Sequence, residues 1–417
     1  MKKVILKIIY NVLAFFTRLY IYRTKPEIIG ITGSVGKTSC RMIIFQVLKK
    51  HLNNKVVYTS PKNFNSELGF VFSIFKIEKF NPHILSLFLI TIKVIYKSLF
   101  SSKKYDIILL EYGIDHPGDM DFLLKIAKPD IGIFTKLDSI HVENFSSKSE
   151  IGIEKFKLID NAKSKVYLNF QDDFLREKFD GLKLSKDSFN KGDLKSKYIL
   201  EKKLPFSEII FSDKKIKTNI LGNENFMYIQ LAFDILNDYG IKINNNQEFL
   251  ELENQAGRFS IFKGINNSVL IDSTYNAGFE SMKKMINNTR QLQKQIYKDY
   301  KLCFVIGDMR ELGKYAQEEH KKLFNEFDAS DLLISVGKET KAYFPNNIKN
   351  FSSSTKAGLY LKGFIEKSKE KYLILFKGSQ NTIFIEESLK QILLDKNDEK
   401  KLVRQNNYWL EKKKKYF

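Results

Sequence analysis

The chain has 417 residues and a mass of 48.7 kDa, which is long for one compact core and predicts two domains or three, excluding a small single binding module. With 43% hydrophobic residues, only 7 prolines and two cysteines, Cys40 and Cys303, it is neither a disordered polymer nor a disulfide or cysteine-rich zinc scaffold, and it fits a reducing, cytoplasmic compartment. The net charge of +21 admits phosphorylated substrates, an anionic membrane face or nucleic acid, but no zinc-finger, basic-zipper or aromatic RNA-binding pattern accompanies the scattered lysines, so nucleic acid is set aside.

Residues 1–25 read as a basic, apolar helix. Lys7, Asn11 and Arg18 interrupt the run of ~20 apolar residues that a membrane span requires, and no small-residue cleavage site follows. An interfacial helix or one packed on the protein's own core is expected. EIIGIT then reads as a first strand and 37–50 as a helix, followed by strands at 55–59, 105–111 and 130–135. The apolar stretch 84–100 contains Lys93 and Lys97 and raises the same choice between core packing and membrane contact. Between 166 and 219 the pattern loosens into short, charged, strand-like pieces, and a helix follows near 226–239. At Gly257 the alternation restarts: SVLIDS, a helix after Phe279, KLCFVIG, a helix near 317–327, DLLISVG, a helix near 356–370, YLILFKGS and a last helix.

This alternation predicts an α/β protein. Residues 26–256 are expected to form a P-loop-containing central domain with a mostly parallel sheet. A Rossmann-like C-terminal domain is expected over 257–395, and 396–417, with the lysine run 412–415, is expected as a solvated tail. There is no internal repeat.

The strongest local signal is GITGSVGKTS between a strand and a helix. Gly33 and Gly36 let the backbone of the Ser34 turn wrap a phosphate, the helix start supplies positive potential, and Lys37 reaches the terminal phosphates. Thr38 or Ser39 would place a hydroxyl on magnesium. The loop is a variant, with Ile31 where the common pattern has glycine. Glu111 ends an apolar strand at the rim where open α/β sheets bind ligands, and there it can hold a metal or cap the next turn. His116 and Asp119 can do that capping themselves. His141, beside Glu143, follows the 130–135 strand by a short loop and is either structural or a ligand.

These segments, with SPKNFNSELG, LEYGIDHPGDMDFLLKIAKPDIGIFTKLDSIHVENF, AGRFSIFKG, IDSTYNAG, VIGDMRELG and FKGS, occur in an order and spacing that resembles the Mur ligases. The resemblance covers roughly residues 28–394. It implies ATP- and Mg2+-dependent amide-bond formation through an acyl phosphate, with an acyl substrate on a cell-wall precursor and an amino acid or a dipeptide such as D-alanyl-D-alanine as partners. Matched by position, Lys37 and Thr38 hold the phosphates and a first magnesium, with Glu111 as its carboxylate ligand. His141 matches a second-metal ligand, and Lys155 matches the lysine that the family carbamylates. Asn63, Asn65 and Glu67 match a loop beside the acyl substrate. Arg258 and Asp272 match nucleotide-contacting positions, Tyr275 and Asn276 the neighbouring signature, and Lys377 and Ser379 a motif on the amino-substrate side.

Four departures bear on the substrate. An N-terminal uridine-nucleotide-binding domain is expected to be absent, DSTYN carries Ser273 where the family has a second acid, and Gly69-Phe70-Val71 replaces Gly-Val-Pro. Glu224-Asn225 stands where His-Asn is usual, which puts Asn225 at the expected adenine site. Two rival readings follow: a ligase of the same architecture on another acid, such as a folate-type polyglutamate, and a non-catalytic nucleotide-binding scaffold at the membrane.

Overall fold

The computed structural model describes residues 2–60, 67–77, 84–102, 104–138, 144–190, 192–201, 204–212, 214–243, 247–380 and 382–416. The chain divides into two compact units, Met1–Leu194 with Met227–Asn244, and Lys195–Phe226 with Asn245–Phe417.

The first unit runs α1 (Lys2–Thr24), β1 (Glu27–Thr32), α2 (Lys37–His51), β2 (Val57–Thr59), α3 (Glu67–Phe75), α4 (Ile84–Phe100), β3 (Ile107–Glu111), α5 (Asp119–Ile126), β4 (Ile131–Phe134), α6 (Lys148–Asp160), β5 (Lys165–Asn169), α7 (Asp173–Phe179) and β6 (Ser185–Phe189). Its six strands are parallel, in the order β2-β3-β1-β4-β5-β6. Strands β1, β3 and β4 are buried almost end to end. Parallel strands covered by helices on both faces have no polar side to show, so they read in sequence as unbroken apolar runs. The chain leaves β1 toward β2 on one side while β4 lies on the other. A ligand crevice therefore opens at the carboxyl ends of β1, β3 and β4. Helices α1 and α4 pack side by side, burying Leu13, Thr17 and Tyr20 of α1 and Leu87, Ile90 and Val94 of α4. Among the described residues no helix is long and apolar enough to cross a membrane.

The second unit begins with β7 (Lys195–Glu201), β8 (Leu204–Phe211) and β9 (Lys214–Thr218). Helix α8 (Asn223–Asp238) gives this unit its first turn and the first unit its remainder, and β10 (Gln247–Leu250) follows. These strands form a sheet ordered β10-β9-β8-β7, antiparallel except for the β9/β10 pair. Next come β11 (Ser260–Lys263), β12 (Val269–Asp272), α9 (Phe279–Ile296), β13 (Tyr300–Gly307), α10 (Ala316–Phe324), β14 (Leu332–Val336), α11 (Lys338–Tyr343), β15 (Lys349–Phe351), α12 (Ser354–Lys367), β16 (Lys371–Lys377), α13 (Glu386–Lys390) and α14 (Asn407–Lys413). Their sheet is ordered β11-β12-β16-β13-β14-β15 and is parallel except for β11.

Lys195–Phe226 joins the second compact unit because it is bonded to α9. The Tyr198 amide donates to Gln295 Oε1 at 2.6 Å, Asn288 Nδ2 donates to Glu224 Oε2 at 2.9 Å, and Asn223 Nδ2 donates to Gln291 Oε1 at 3.3 Å.

The expectation of a solvated tail over 396–417 is corrected. Leu402, Val403 and Lys413 are buried, and only the end of the lysine run, Lys414 and Lys415, is fully exposed. The cause is Glu386, which is 0% exposed on α13. Arg404 grips it with Nε at 2.8 Å from Oε1 and Nη2 at 2.6 Å from Oε2, and Lys413 Nζ lies 2.8 Å from Oε1. Burial pushes this carboxyl up, but the hydrogen bonds and charges of Arg404 and Lys413 outweigh it and hold it below the usual range. A buried charge stripped of its partner is costly. Arg404→Met is therefore expected to lose about 3 kcal/mol in chemical unfolding, with the double variant Arg404→Met/Glu386→Leu losing less. A single-variant loss under about 0.5 kcal/mol, the range of ordinary surface changes, would show that this pair does not hold the tail.

Candidate active site

The turn between β1 and α2 is Gly33-Ser34-Val35-Gly36. Two of its positions demand glycine. At Gly33 (φ 137°) a Cβ would lie 2.1 Å from Thr135 Oγ1, and at Gly36 (φ 85°) 1.9 Å from the Tyr228 hydroxyl of α8. The turn is braced from the end of β4: Thr135 Oγ1 donates to the Val35 carbonyl at 2.6 Å, and the Ser34 amide donates to the Lys136 carbonyl at 2.7 Å. The Ser34 hydroxyl is buried and has no partner among the described residues, as suits an oxygen that meets a phosphate. Lys37 folds over the turn, donating to the carbonyls of Gly33 at 2.7 Å and Ser34 at 3.4 Å. Ser39 is half-buried in the first turn of α2, whose leading amides have no intrahelical acceptor.

Glu111 lies against this turn, because the β1/β3 register sets it opposite Ile31. Thr38 Oγ1 donates to its Oε2 at 3.2 Å and Arg41 Nε to its Oε1 at 2.8 Å. Arg41 is 2% exposed and continues to Thr59 Oγ1 at 2.5 Å and to the Ser60 carbonyl. Sequence reasoning missed Arg41. The available signal was its place three residues after Thr38 on the same helix face.

Asp119 Oδ2 accepts from the amides of Asp115 and His116, both at 2.8 Å, so the turn after β3 is capped without Glu111. Glu154 of α6 accepts from the amides of Gly118 at 2.9 Å and Met120 at 3.1 Å. Its neighbour Lys155 is 1% exposed. Burial first, and then the charge of Lys37, hold the Lys155 amine well below its ordinary range, while Asp115, Asp119 and Glu154 oppose the shift. His141, Asn63 and Asn65 lie outside the described residues, and Glu67 opens α3. Among the described residues no three acids, histidines or cysteines gather as a metal cage. A threonine hydroxyl beside a carboxylate is instead a hard-oxygen pair of the kind that holds magnesium together with substrate phosphates and water.

The second unit carries its own cluster at the carboxyl ends of β12 and β16. Asp272 accepts from Thr274 Oγ1 at 2.6 Å, the Thr274 amide at 3.1 Å and the Gly257 amide at 3.0 Å, and burial raises its carboxyl to about 6. The Arg258 guanidinium stacks 4.2 Å from the Tyr275 ring centre. Lys377 donates to the Asn276 carbonyl at 2.9 Å and to Ser273 Oγ at 3.3 Å. Ser379 Oγ accepts from the Arg310 amide at 2.9 Å and donates to the Ala277 carbonyl at 3.4 Å. Asn225 lies in the first turn of α8, donating to the Leu221 carbonyl at 2.7 Å. Arg404 was also missed: it donates to the carbonyls of Thr274 at 2.6 Å and Tyr275 at 2.9 Å.

Burial, then the charge of Arg258, lowers Lys377 to about 7. In the unfolded chain its ordinary value is about 10.4. Between those values the unfolded state binds more protons, so stability rises with pH across that window. Relative to Lys377→Met, the wild type is expected to gain about 2 kcal/mol between pH 7 and pH 9, read from chemical unfolding. A pH-independent difference would place the amine in water.

The first unit has the architecture of a P-loop α/β domain, with its glycine turn at the switch point of a parallel sheet. Residues 31–234 match the Mur ligase middle domain and residues 257–379 the Mur ligase glutamate ligase domain. The chain belongs to the Mur ligase family, a family of ATP-dependent ligases. It is 25% identical over 329 residues to the UDP-N-acetylmuramoyl-tripeptide–D-alanyl-D-alanine ligase of Borreliella burgdorferi, covering 76% of this chain and 64% of that one. To the ligase of the same name from Bacillus subtilis it is 24% identical over 390 residues, covering 90% and 78%. The fold is similar to that of the MurF ligase from Thermotoga maritima in complex with ADP (TM-score 0.73, 22% identity, 94% and 84% covered). It is also similar to an FPGS–AMPPCP–folate complex (TM-score 0.55, 15% identity, 91% and 93% covered).

Proposed function

We propose that the chain is an ATP- and magnesium-dependent ligase that joins an amino acid, or a dipeptide such as D-alanyl-D-alanine, to the carboxylate of a peptidoglycan precursor. The observation that carries this reading is the Thr38–Glu111 pair set against the Gly33–Gly36 turn. The acyl carboxylate attacks the terminal phosphorus of ATP and ADP leaves. The amine then attacks the acyl phosphate, phosphate departs and the amine loses a proton. Such chemistry needs positioning and charge neutralisation more than covalent help.

In this reading the turn amides, Ser34 and Lys37 bind the phosphates. Magnesium, when bound, neutralises their charge, and Thr38 and Glu111 would hold it. Arg41 keeps Glu111 aimed at that position. Lys155 and His141 serve a second metal, Arg258 and Asp272 the nucleotide. Asn225 serves the adenine, Asn63, Asn65 and Glu67 the acyl substrate, and Tyr275, Asn276, Lys377 and Ser379 the amino substrate. A ligase acting on another acid is the second reading, favoured by the 93% coverage of the folate-bound relative. A phosphate-release screen of purified protein with ATP, magnesium and paired acyl and amino substrates decides between them. Release only with the muramoyl tripeptide and D-alanyl-D-alanine supports the first reading, and release only with a folate-type acid and glutamate overturns it. The free, buried Cys40 and Cys303 support a cytoplasmic setting, which we place at the inner face of the membrane.

A further inference from the structure

Helix α4 turns an unusual face outward. Phe88, Leu89, Ile92, Tyr96, Leu99 and Phe100 are 42 to 69% exposed, at positions where a helix packed on a soluble core is normally polar. Beside it, α1 exposes Ile8, Phe15 and Tyr22 at seven-residue intervals. The two helices are tied at their carboxyl ends, where Arg23 donates to the carbonyls of Ser98 and Ser101. An apolar surface of this breadth marks an interaction site.

Charge selects the occupant. Residues 1–26 carry six Lys and Arg, residues 84–105 carry four, and neither segment holds an acid. A cleft of about 840 Å3 adjoins Tyr22 and is lined by Arg18, Lys25, Lys125, Lys128 and Lys163. Its two acids are already paired, Glu27 with Lys55 at 4.0 Å and Asp130 with Lys163 at 3.0 Å. A second copy seated on this face would set cations against cations with no acid to receive them.

We propose that the α1–α4 face docks on an anionic lipid bilayer, with the apolar residues entering the headgroup boundary and Arg18, Lys25, Lys93, Lys125 and Lys128 meeting lipid phosphates. The face belongs to the same unit as the glycine turn, so docking would hold that turn at the membrane. This deepens the placement given under the proposed function, yet vesicle partition can fail while phosphate release succeeds, so the two ideas fall separately.

The test is co-sedimentation of the full chain with phosphatidylcholine vesicles and with vesicles that also contain phosphatidylglycerol, at low and high salt. Light scattering without vesicles reads the oligomeric state. Binding is expected only to the anionic vesicles. Phe88→Ser/Ile92→Asn/Phe100→Ser should reduce partition at least about tenfold. Arg18→Gln/Lys93→Gln should reduce it about fivefold per cation at low salt, with the difference fading at high salt. Both variants alter exposed side chains, and unchanged thermal melts and phosphate release would show that they fold. Three results overturn the proposal: protein left in the supernatant with anionic vesicles, equal binding to neutral vesicles, or a dimer that the triple substitution dissociates.

Discussion

Lys37→Ala is expected to fold normally and to release phosphate about 10² to 10³ times more slowly than the wild type. The side chain fills no core; its amine lies over the turn on the Gly33 and Ser34 carbonyls. Under the proposed function, truncation removes a positive charge from the place where phosphate charge would develop and leaves packing intact. Glu111 makes a less simple probe, because Glu111→Ala also removes the carboxylate that Arg41 Nε meets in a buried ion pair and so costs stability as well as charge. Glu111→Gln keeps a partner for Arg41 Nε and Thr38 Oγ1 while removing the charge, so it should lose turnover with a smaller change in melting temperature. Near-native phosphate release by folded Lys37→Ala would move the nucleotide site away from the β1–α2 turn.

Lys155→Ala should be slow and partly restored by formate or acetate. Burial of Lys155, at 1% exposure, and then the charge of Lys37 lower the amine's hold on its proton, which favours the neutral, nucleophilic form. Its nitrogen lone pair can add to carbon dioxide, forming an N–C bond and releasing one proton, and a carbamate anion replaces a cation. That exchange removes the repulsion with Lys37 and creates a metal-binding oxygen pair, which a short carboxylate can supply when the lysine is gone. The readout is turnover against carboxylate concentration. A nucleotide-bound crystal structure showing an unmodified Lys155 amine turned to solvent would sink the idea.

What could be read from the residues alone follows from how each element is buried. Strands β1, β3 and β4, covered on both faces, announced themselves as apolar runs, and the Gly33–Lys37 turn as a strand-to-helix junction. The partly exposed strands β7 and β9 did not, since lysines on the outside flank the buried Tyr198 and Ile216 and blur the pattern. Arg41 and Lys413 were illegible for another reason. An arginine or lysine on a helix normally faces water, and only the tertiary position of Glu111 or Glu386 turns it inward. Nothing local in NYWLEKKKK distinguishes Lys413 from its neighbours.

The grip of Arg404 on the loop after β12 also sets an order in time. Thr274 and Arg404 are 130 residues apart, and ribosomes add roughly 5 to 20 residues per second, so that loop leaves the ribosome roughly 6 to 26 seconds before its clasp. During that interval Asp272 and Gly257 have each other but lack the arginine that pins the two carbonyls beyond them. A nascent chain would thus carry a finished glycine turn while its second cluster was still unset, and the two clusters would form in sequence, not together.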